Sequence, residues 1–442
     1  MNTRTLTLFE HEPAPEGIPG PVVEWLLGLR HNGRELFVRT NRSFRATSFV
    51  GIVQHRNYTV QVLPKMYRRT LGPDAQSERI GQATANLLFL LGYTKKLELT
   101  AAELARLASW RAPLLEFLCW LFAHKLWEAV RRGLLRGYVG MEDRLGVVRG
   151  RWLLAKQLRR SDSWRDDLLD VSYEEFSEDN LPNRLLNATV WLLSRWAREL
   201  ETRRLLSVLR TMLGDITSAI PKPGDFDRAQ IWMDRYRWRT KEQRLYRAIL
   251  NLARIFWERE GWQWKAGPSE GFVWMFDMNQ LFEEFVAQFI RCHLGNYLRQ
   301  RGWNLFAQSG TRYLLWSPQI HWRFRLIPDI RIENAEGQTV LIIDTKYKTP
   351  QWNERKSPIE PADAYQMFAY KERYACPWVV LLYPQEDSPV RLPFSGEQGS
   401  RPWLFICTVD LRRDFLQASE REALAQEFQT ILHGEEVAYA SF

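Results

Sequence analysis

The spacing of apolar and polar residues divides the chain into three stretches. Over residues 1–75 the period is two: "TRTLTLFE" alternates, and "SFVGIVQHRNYTVQVLPKM" predicts a hairpin turning near His55–Asn57. In that hairpin Val60, Val62 and Leu63 are expected to face a core, with Thr59 and Gln61 pointing away. Over residues 76–265 the period becomes helical, in "ANLLFLLGY", "PLLEFLCWLFAHKLWEAVRRGLL", "LLNATVWLLSRWARELETRRLLSVLRTML" and "EQRLYRAILNLARIFWERE". A strand-like interruption sits at "YVGMEDRLGVVRGRWLLAKQL", and glycine and proline punctuate a boundary at Gly261–Phe272. Residues 266–442 mix the two periods. A helix is expected at Met278–Arg299, strands at Tyr313–Trp316, His321–Ile332 and Val340–Lys346, and a helix at Pro361–Tyr374. The strands "WVVLLYP" and "WLFICTVDL" and a closing helix follow. The expected class is therefore α+β and multidomain: a β-rich amino-terminal domain (1–75), a mainly helical middle region (76–265) and a carboxy-terminal α/β domain with a central mixed sheet (266–442).

One stretch of the last region puts charge where a buried strand has no ordinary use for it. "LIPDIRIENAEGQTVLIIDTKYK" (Leu326–Lys348) reads as two strands joined by a polar turn on Glu336–Gly337, with the flanks "FRLI" and "VLII" burying both. That turn sets Asp329 opposite Asp344, and alternation projects Asp344 and Lys346 from one face. Two carboxylates about 4 Å apart repel by roughly 4 kcal/mol at an effective dielectric of about 20. A hard dication relieves this, and oxygen donors favour Mg2+ or Mn2+ over Zn2+. Lys346 is then placed to orient or polarise an attacking water and to offset charge on a phosphate, which amounts to metal-assisted phosphodiester hydrolysis. The bland alternative is a solvated surface hairpin, and an Asp-x-Lys triplet by itself does not exclude it.

Two helices add candidates. "MNQLFEEFVAQFI" lines up Leu281, Phe282, Phe285, Val286 and Phe289, with Glu283 at the border of that face and Glu284 directed to solvent. Glu283 is placed to lean over a sheet edge and complete a metal shell. In "YQMFAY", Gln366 and Tyr370 stack on one helix face, positioned to hold a nucleotide backbone or to brace the lysine.

Charge and composition narrow the partners. The chain of 442 residues carries a net charge of +9, with a pI of about 9.4, a balance that suits a polyanion such as nucleic acid. Cys119, Cys292, Cys376 and Cys407 have no paired spacing and read as buried reduced thiols of a cytoplasmic protein; the seven histidines form no zinc pattern. No apolar run reaches the roughly 20 residues that span a bilayer, so no membrane partner is expected.

The quoted residues resemble a known family. Pro328-Asp329 followed by Asp344-Thr345-Lys346 is similar to the PD-(D/E)xK nuclease signature, and the glutamate helix with Gln366-x-x-x-Tyr370 resembles its RecB-like branch. "MNQLFEEFV", "LIPDIRI", "LIIDTKYK" and "AYQMFAY" resemble the carboxy-terminal domain of the McrC family, the nuclease subunit of the McrBC modification-dependent restriction system. Upstream, "NLLFLLGY", "VVRGRW" and "FSEDNLPNRLLNATVWLL" resemble blocks of the same family in the same order. The resemblance implies a restriction-endonuclease-like carboxy-terminal domain. It implies Asp329 and Asp344 as metal ligands, Glu283 as a further one, the Thr345 carbonyl as an extra contact, and Lys346 as the catalytic lysine. Gln366 and Tyr370 become supporting positions, with Mg2+ as the cofactor. It also implies a partner, an McrB-like hexameric AAA+ GTPase that recognises modified double-stranded DNA. The amino-terminal region would dock on that partner and stimulate its GTPase; His55, Arg56 and Asn57 at the hairpin tip are candidates for contact. The chain has no G-x-x-x-x-G-K-[ST] loop of its own.

"RAQIWMDRYRWRTKEQR" (Arg228–Arg244) interleaves Trp232, Tyr236 and Trp238 with cations, a pattern suited to DNA contact or to a solvated helix face. Three functions remain: an endonuclease subunit recruited by a nucleotide-driven partner, a self-sufficient RecB-like nuclease, and a non-cleaving DNA-binding adaptor.

Overall fold

The computed structural model describes residues 4–41, 43–55, 57–67, 76–107, 110, 112–159, 167–218, 220–235, 240–257, 262–264, 271–348, 359–386 and 388–433. The chain divides into two compact units, Met1–Arg111 with Gly261–Phe442, and Ala112–Glu260. This grouping differs from the one read from the sequence. The strand that opens the last region, Gly271–Asp277, pairs antiparallel with Phe49–His55, and the helix Gln76–Tyr93 packs on Met278–His293. The amino-terminal strands and the carboxy-terminal sheet thus share one unit.

In that unit a four-stranded sheet runs Arg4–Phe9, Tyr58–Leu63, Phe49–His55, Gly271–Asp277. The hairpin turns where the sequence places it, and Arg4–Phe9 lies parallel to its second strand. Thr59 and Gln61 are buried rather than facing outward, because the helix Gln76–Tyr93 covers Tyr58–Leu63 while Val60 and Val62 face the core shared with Trp25 and Phe37. His55 is also buried, stacked on Trp25 with ring centroids 4.4 Å apart, so it is not an exposed tip residue. Asn57 is exposed, and Arg56 lies outside the described residues.

The second sheet has six strands in the order Asn304–Ala307, Ile330–Glu333, Thr339–Thr345, Val379–Pro384, Leu404–Val409, Arg391–Phe394. It is mixed: the Ile330–Glu333 and Thr339–Thr345 pair is antiparallel, whereas Thr339–Thr345, Val379–Pro384 and Leu404–Val409 run parallel. The helix Pro361–Tyr374 packs Met367, Tyr370 and Tyr374 against Ile342, Val379 and Leu381 on one face. Alternation puts Tyr347 on the other face, where its ring lies 5.9 Å from Phe282 of the helix Met278–His293. That helix ends at His293 instead of running to Arg299; Leu294 leaves helical geometry and a short second helix, Gly295–Gln300, follows.

The expected strand His321–Ile332 is also broken. His321–Leu326 pairs with Arg312–Ser317 in a separate two-stranded ribbon, and the main sheet resumes at Ile330. Only the "VLII" flank is buried. In "FRLI", Phe324 and Ile327 are exposed, because the ribbon pairs apart from the main sheet. Cys292 is exposed, while Cys119, Cys376 and Cys407 are buried free thiols.

The other unit holds the helices Leu114–Arg132, Leu181–Trp196, Leu200–Met212, Asp225–Asp234 and Thr240–Trp257, with a small antiparallel sheet of Gly137–Leu145, Leu169–Ser177 and Arg151–Trp152. The helical pattern read through Leu185–Leu213 is interrupted at Ala197–Glu199. There the buried Glu116 carboxylate accepts the Arg198 and Glu199 N–H groups, satisfying donors that a continuous helix would have used internally. In the basic stretch Arg228 pairs with Asp225, whereas Tyr236 and Trp238 lie outside the described residues. No helix among the described residues is long and apolar enough to cross a membrane.

Candidate active site

The site begins with a turn. Asn334 accepts the Gly337 N–H on its carbonyl and the Gln338 N–H on its side chain, and Gly337 takes the left-handed φ of 76° that closes a tight hairpin. A bulge at Ile332/Glu333 then sets the register Ile332↔Leu341, Arg331↔Ile342, Ile330↔Ile343. One residue further along that register, Asp329 faces Asp344. The Thr345 N–H and hydroxyl both donate to Asp329 Oδ2, at 2.7 and 2.8 Å, which fixes the carboxylate across the strand end.

Lys346 lies just past the strand, its N–H donating to the Leu382 carbonyl at 2.8 Å. Its Nζ is 2.5 Å from Asp344 Oδ2, 3.8 Å from Asp363 Oδ1, and donates to Gln366 Oε1 at 3.1 Å. Gln366 in turn donates to the Tyr370 hydroxyl at 3.0 Å, and Tyr370 donates to the Ile327 carbonyl at 3.0 Å. These hydrogen bonds link Gln366 to the lysine and Tyr370 to Gln366, the geometry of a brace. Glu283 comes from the helix on the opposite face and accepts from Gln308 Nε2. Its neighbour Glu284 is half-buried and paired with Lys96 at 2.9 Å instead of turning to solvent.

Residues the sequence did not flag complete the arrangement. Gln308 ties Glu283 to the Asp329 strand, since its own N–H donates to the Asp329 carbonyl at 2.9 Å. It belongs to no periodic pattern. Asp363 receives Lys348 Nζ at 2.7 Å, and its place three residues before Gln366 on a helix was a readable signal. Glu10, wholly buried at the end of Arg4–Phe9, accepts the Tyr347 hydroxyl at 2.7 Å and the Lys65 N–H at 3.0 Å; Lys65 Nζ donates to the Tyr347 carbonyl at 3.3 Å. The amino-terminal strands thereby grip the residue next to Lys346.

The electrostatics are those of crowded acids. Burial, then the charges of Asp329 and Asp344, push Glu283 up to about 8. Burial and Asp329 push Asp344 up to about 7 against the pull of Lys346, and burial raises Asp329 despite its Thr345 hydrogen bonds. Burial works against the charge on Lys346, but Asp344 and its other acidic neighbours raise it overall, so it stays a cation. Asp344 Oδ2 is buried and its contact with Lys346 lies off the line of a hydrogen bond. An all-oxygen set of mutually repelling, desolvated carboxylates suits a hard dication in charge and donor type. It is not a ready-made cage: among the described residues no group of three or more His, Cys, Asp or Glu side chains is gathered to hold a metal ion. Lys346 sits against Asp344 and Gln308 against Glu283, which are the contacts a dication would exchange for its own.

A family model described as "McrBC 5-methylcytosine restriction system component" matches residues 44–384. The chain belongs to that McrBC family. Among solved structures, a chain of the Thermococcus gammatolerans half-complex of McrB AAA+ hexamers with bound McrC superposes with a TM-score of 0.69 at 20% identity, covering 97% of this chain and 100% of that one. At that identity the likeness is one of fold. A chain of the Thermococcus gammatolerans McrBC complex gives a TM-score of 0.48 at 23% identity over 66% of this chain and 88% of that one. No curated protein matches significantly. The matched span of the McrBC model contains Glu283, Asp329, Asp344, Lys346, Gln366 and Tyr370.

Proposed function

We propose that this McrBC family member is the Mg2+-dependent DNA endonuclease subunit of a modification-dependent restriction system. It would act in the cytoplasm on double-stranded DNA carrying modified bases, when recruited by an McrB-like AAA+ GTPase hexamer whose GTP hydrolysis it stimulates. The observation that carries this reading is the meeting of Asp329, Asp344 and a braced Lys346 at one end of a buried sheet. The partner is supported by the similar structure, described as McrB AAA+ hexamers with bound McrC, and by the lack of a phosphate-binding loop in this chain.

Asp329 and Asp344, with Glu283 and the Thr345 carbonyl, would hold Mg2+ (or Mn2+), which when bound polarises the scissile phosphate and makes an attacking water more acidic. The chain's own residues do the rest. Lys346 keeps its proton and brings positive charge to the phosphate as charge accumulates there. Gln366 fixes where that charge sits, and Tyr370 fixes Gln366. Thr345 holds Asp329 so that both carboxylates face the same point.

The test is to incubate the full chain with methylated and unmethylated duplex DNA and Mg2+, with and without an McrB-like GTPase and GTP. Cutting only in the complete mixture is the expected result. Cutting by the chain alone would make it a self-sufficient RecB-like nuclease, and no cutting in any mixture would make it an adaptor.

A further inference from the structure

Between Gly302 and Pro328 the chain contains no aspartate or glutamate, in a protein that carries 52 of them. Within this acid-free stretch lies the two-stranded ribbon Arg312–Ser317 and His321–Leu326, with Arg312, Arg323, Arg325 and His321 as its basic groups. Its large apolar side chains face water: Trp316 is 57% exposed, Trp322 48% and Phe324 68%. Trp316 pairs directly across from Trp322, and Arg323 from Leu315.

The ribbon is firmly rooted. The Tyr374 hydroxyl accepts the Thr311 N–H at 3.0 Å and donates to the Leu326 carbonyl at 2.8 Å, and Arg373 Nε donates to the Tyr313 carbonyl at 2.8 Å. A side chain at Gly310 would meet the Leu326 carbonyl at 2.2 Å, so the two strands close tightly at the base. The root is also the site's neighbour. Tyr370 holds both the Ile327 carbonyl and Gln366, and Asp329 follows two residues after Ile327.

We propose that this ribbon is a duplex-DNA contact surface that seats the substrate beside the carboxylates. A major groove about 12 Å wide admits a two-stranded β-ribbon, arginines neutralise phosphates, and exposed aromatic faces pack against bases and sugars. Apolar exposure alone would suit a second copy of the chain equally well. Charge decides between them: two such ribbons would bring arginines against arginines, whereas a polyanion meets them with opposite charge.

The proposal rests on hydrolysis at the adjoining carboxylates, and its test separates the two. Binding is read by fluorescence anisotropy with a labelled duplex and Mg2+, using the full chain in an Asp344→Ala background so that no cutting intervenes. The double variant Trp322→Ala/Phe324→Ala is expected to weaken binding about tenfold with an unchanged melting temperature. Arg323→Glu is expected to weaken it similarly and to flatten its salt dependence, and Arg323→Lys to restore most of the affinity. Should the double variant unfold, Arg323→Glu alone decides. Affinity indifferent to these changes overturns the proposal, and so does a parent that self-associates while only its variants sediment as monomers with full DNA affinity. Ribbon variants that lose affinity, together with a chain retaining Asp344 that never cuts in the complete mixture, would defeat the hydrolytic reading and leave the ribbon standing. A chain retaining Asp344 that cuts, with ribbon variants that bind normally, would do the reverse.

Discussion

Two hairpins follow one another in this chain and are opposites. Ile330–Glu333 and Thr339–Thr345 lie in mid-sheet under helices on both faces; Ile330, Ile332, Leu341, Ile342 and Ile343 are fully buried, and the acids cluster at their end. Arg312–Ser317 and His321–Leu326 have comparable strand lengths, but their aromatics and arginines stand in solvent. What differs is the number of covering layers. A charge on the buried hairpin is disfavoured unless something compensates it; Lys346 offsets Asp344 there, while the repulsion between Asp329 and Asp344 is what the proposed dication would relieve. A charge on the exposed ribbon carries no such cost, and it can serve long-range attraction and surface contact. On the proposed reading the first hairpin's residues would carry the chemistry and the second's the grip.

The largest effect should come from the buried hairpin. Lys346→Ala or Asp344→Ala is expected to lower DNA cleavage by about a thousandfold or more, the scale of removing a transition-state contact, while duplex affinity changes little. Single-turnover cleavage and anisotropy on the same preparations would check it. Comparable loss of binding would erase the distinction between the hairpins. Next in size is the brace: Gln366→Ala leaves Lys346 with Asp344 and Asp363 alone, and should reduce kcat about tenfold with KM nearly constant. Gln366→Glu also accepts the lysine's hydrogen bond, so it should recover part of the rate; a change confined to KM would make Gln366 a substrate contact.

The sequence carried the buried hairpin well because its signals are local. A period of two and a polar turn at Glu336–Gly337 lying midway between the two acids put Asp329 opposite Asp344, although the bulge at Ile332/Glu333 that sets this register was not legible. The helix Pro361–Tyr374 has its expected ends, with proline in the first turn. Non-local pairings were not legible. Nothing within any short window tells that Gly271–Asp277 joins Phe49–His55, or that Arg4–Phe9 lies parallel to Tyr58–Leu63. Period two also cannot say how many faces of a strand are covered. For that reason Thr59 and Gln61, expected outside, are buried, and Phe324, expected inside, is exposed. At the site, Asp329, Asp344 and Lys346 stood out as charges in apolar strands, whereas Gln308 belongs to no pattern and Glu10 merely ends an alternating strand, and both matter only through what the fold brings to them.

The smallest effect is one of stability, and it tests what the crowded acids are for. In the unfolded chain both carboxyls ionise in the ordinary range, whereas in the folded chain Asp344 holds its proton to about 7 and Glu283 to about 8, chiefly through burial. Between those ranges the folded state binds more protons than the unfolded one. Stability from these two groups therefore falls as pH climbs from the ordinary carboxylate range to about 8, and is level beyond it. Asp344→Asn removes the charge without the volume, so without metal it should raise the melting temperature by about 5 °C at pH of about 8 and hardly at all at pH of about 4. Added Mg2+ should have the complementary profile in the parent, stabilising more strongly at the higher pH, where it need not displace protons. It should lose most of that effect in Asp344→Asn. Arg323→Glu, on the exposed hairpin, should leave both profiles where the parent has them. Mg2+ stabilisation that ignored pH and survived Asp344→Asn would place the dication elsewhere, and the buried hairpin's acids would then be paired for the sake of Lys346 alone.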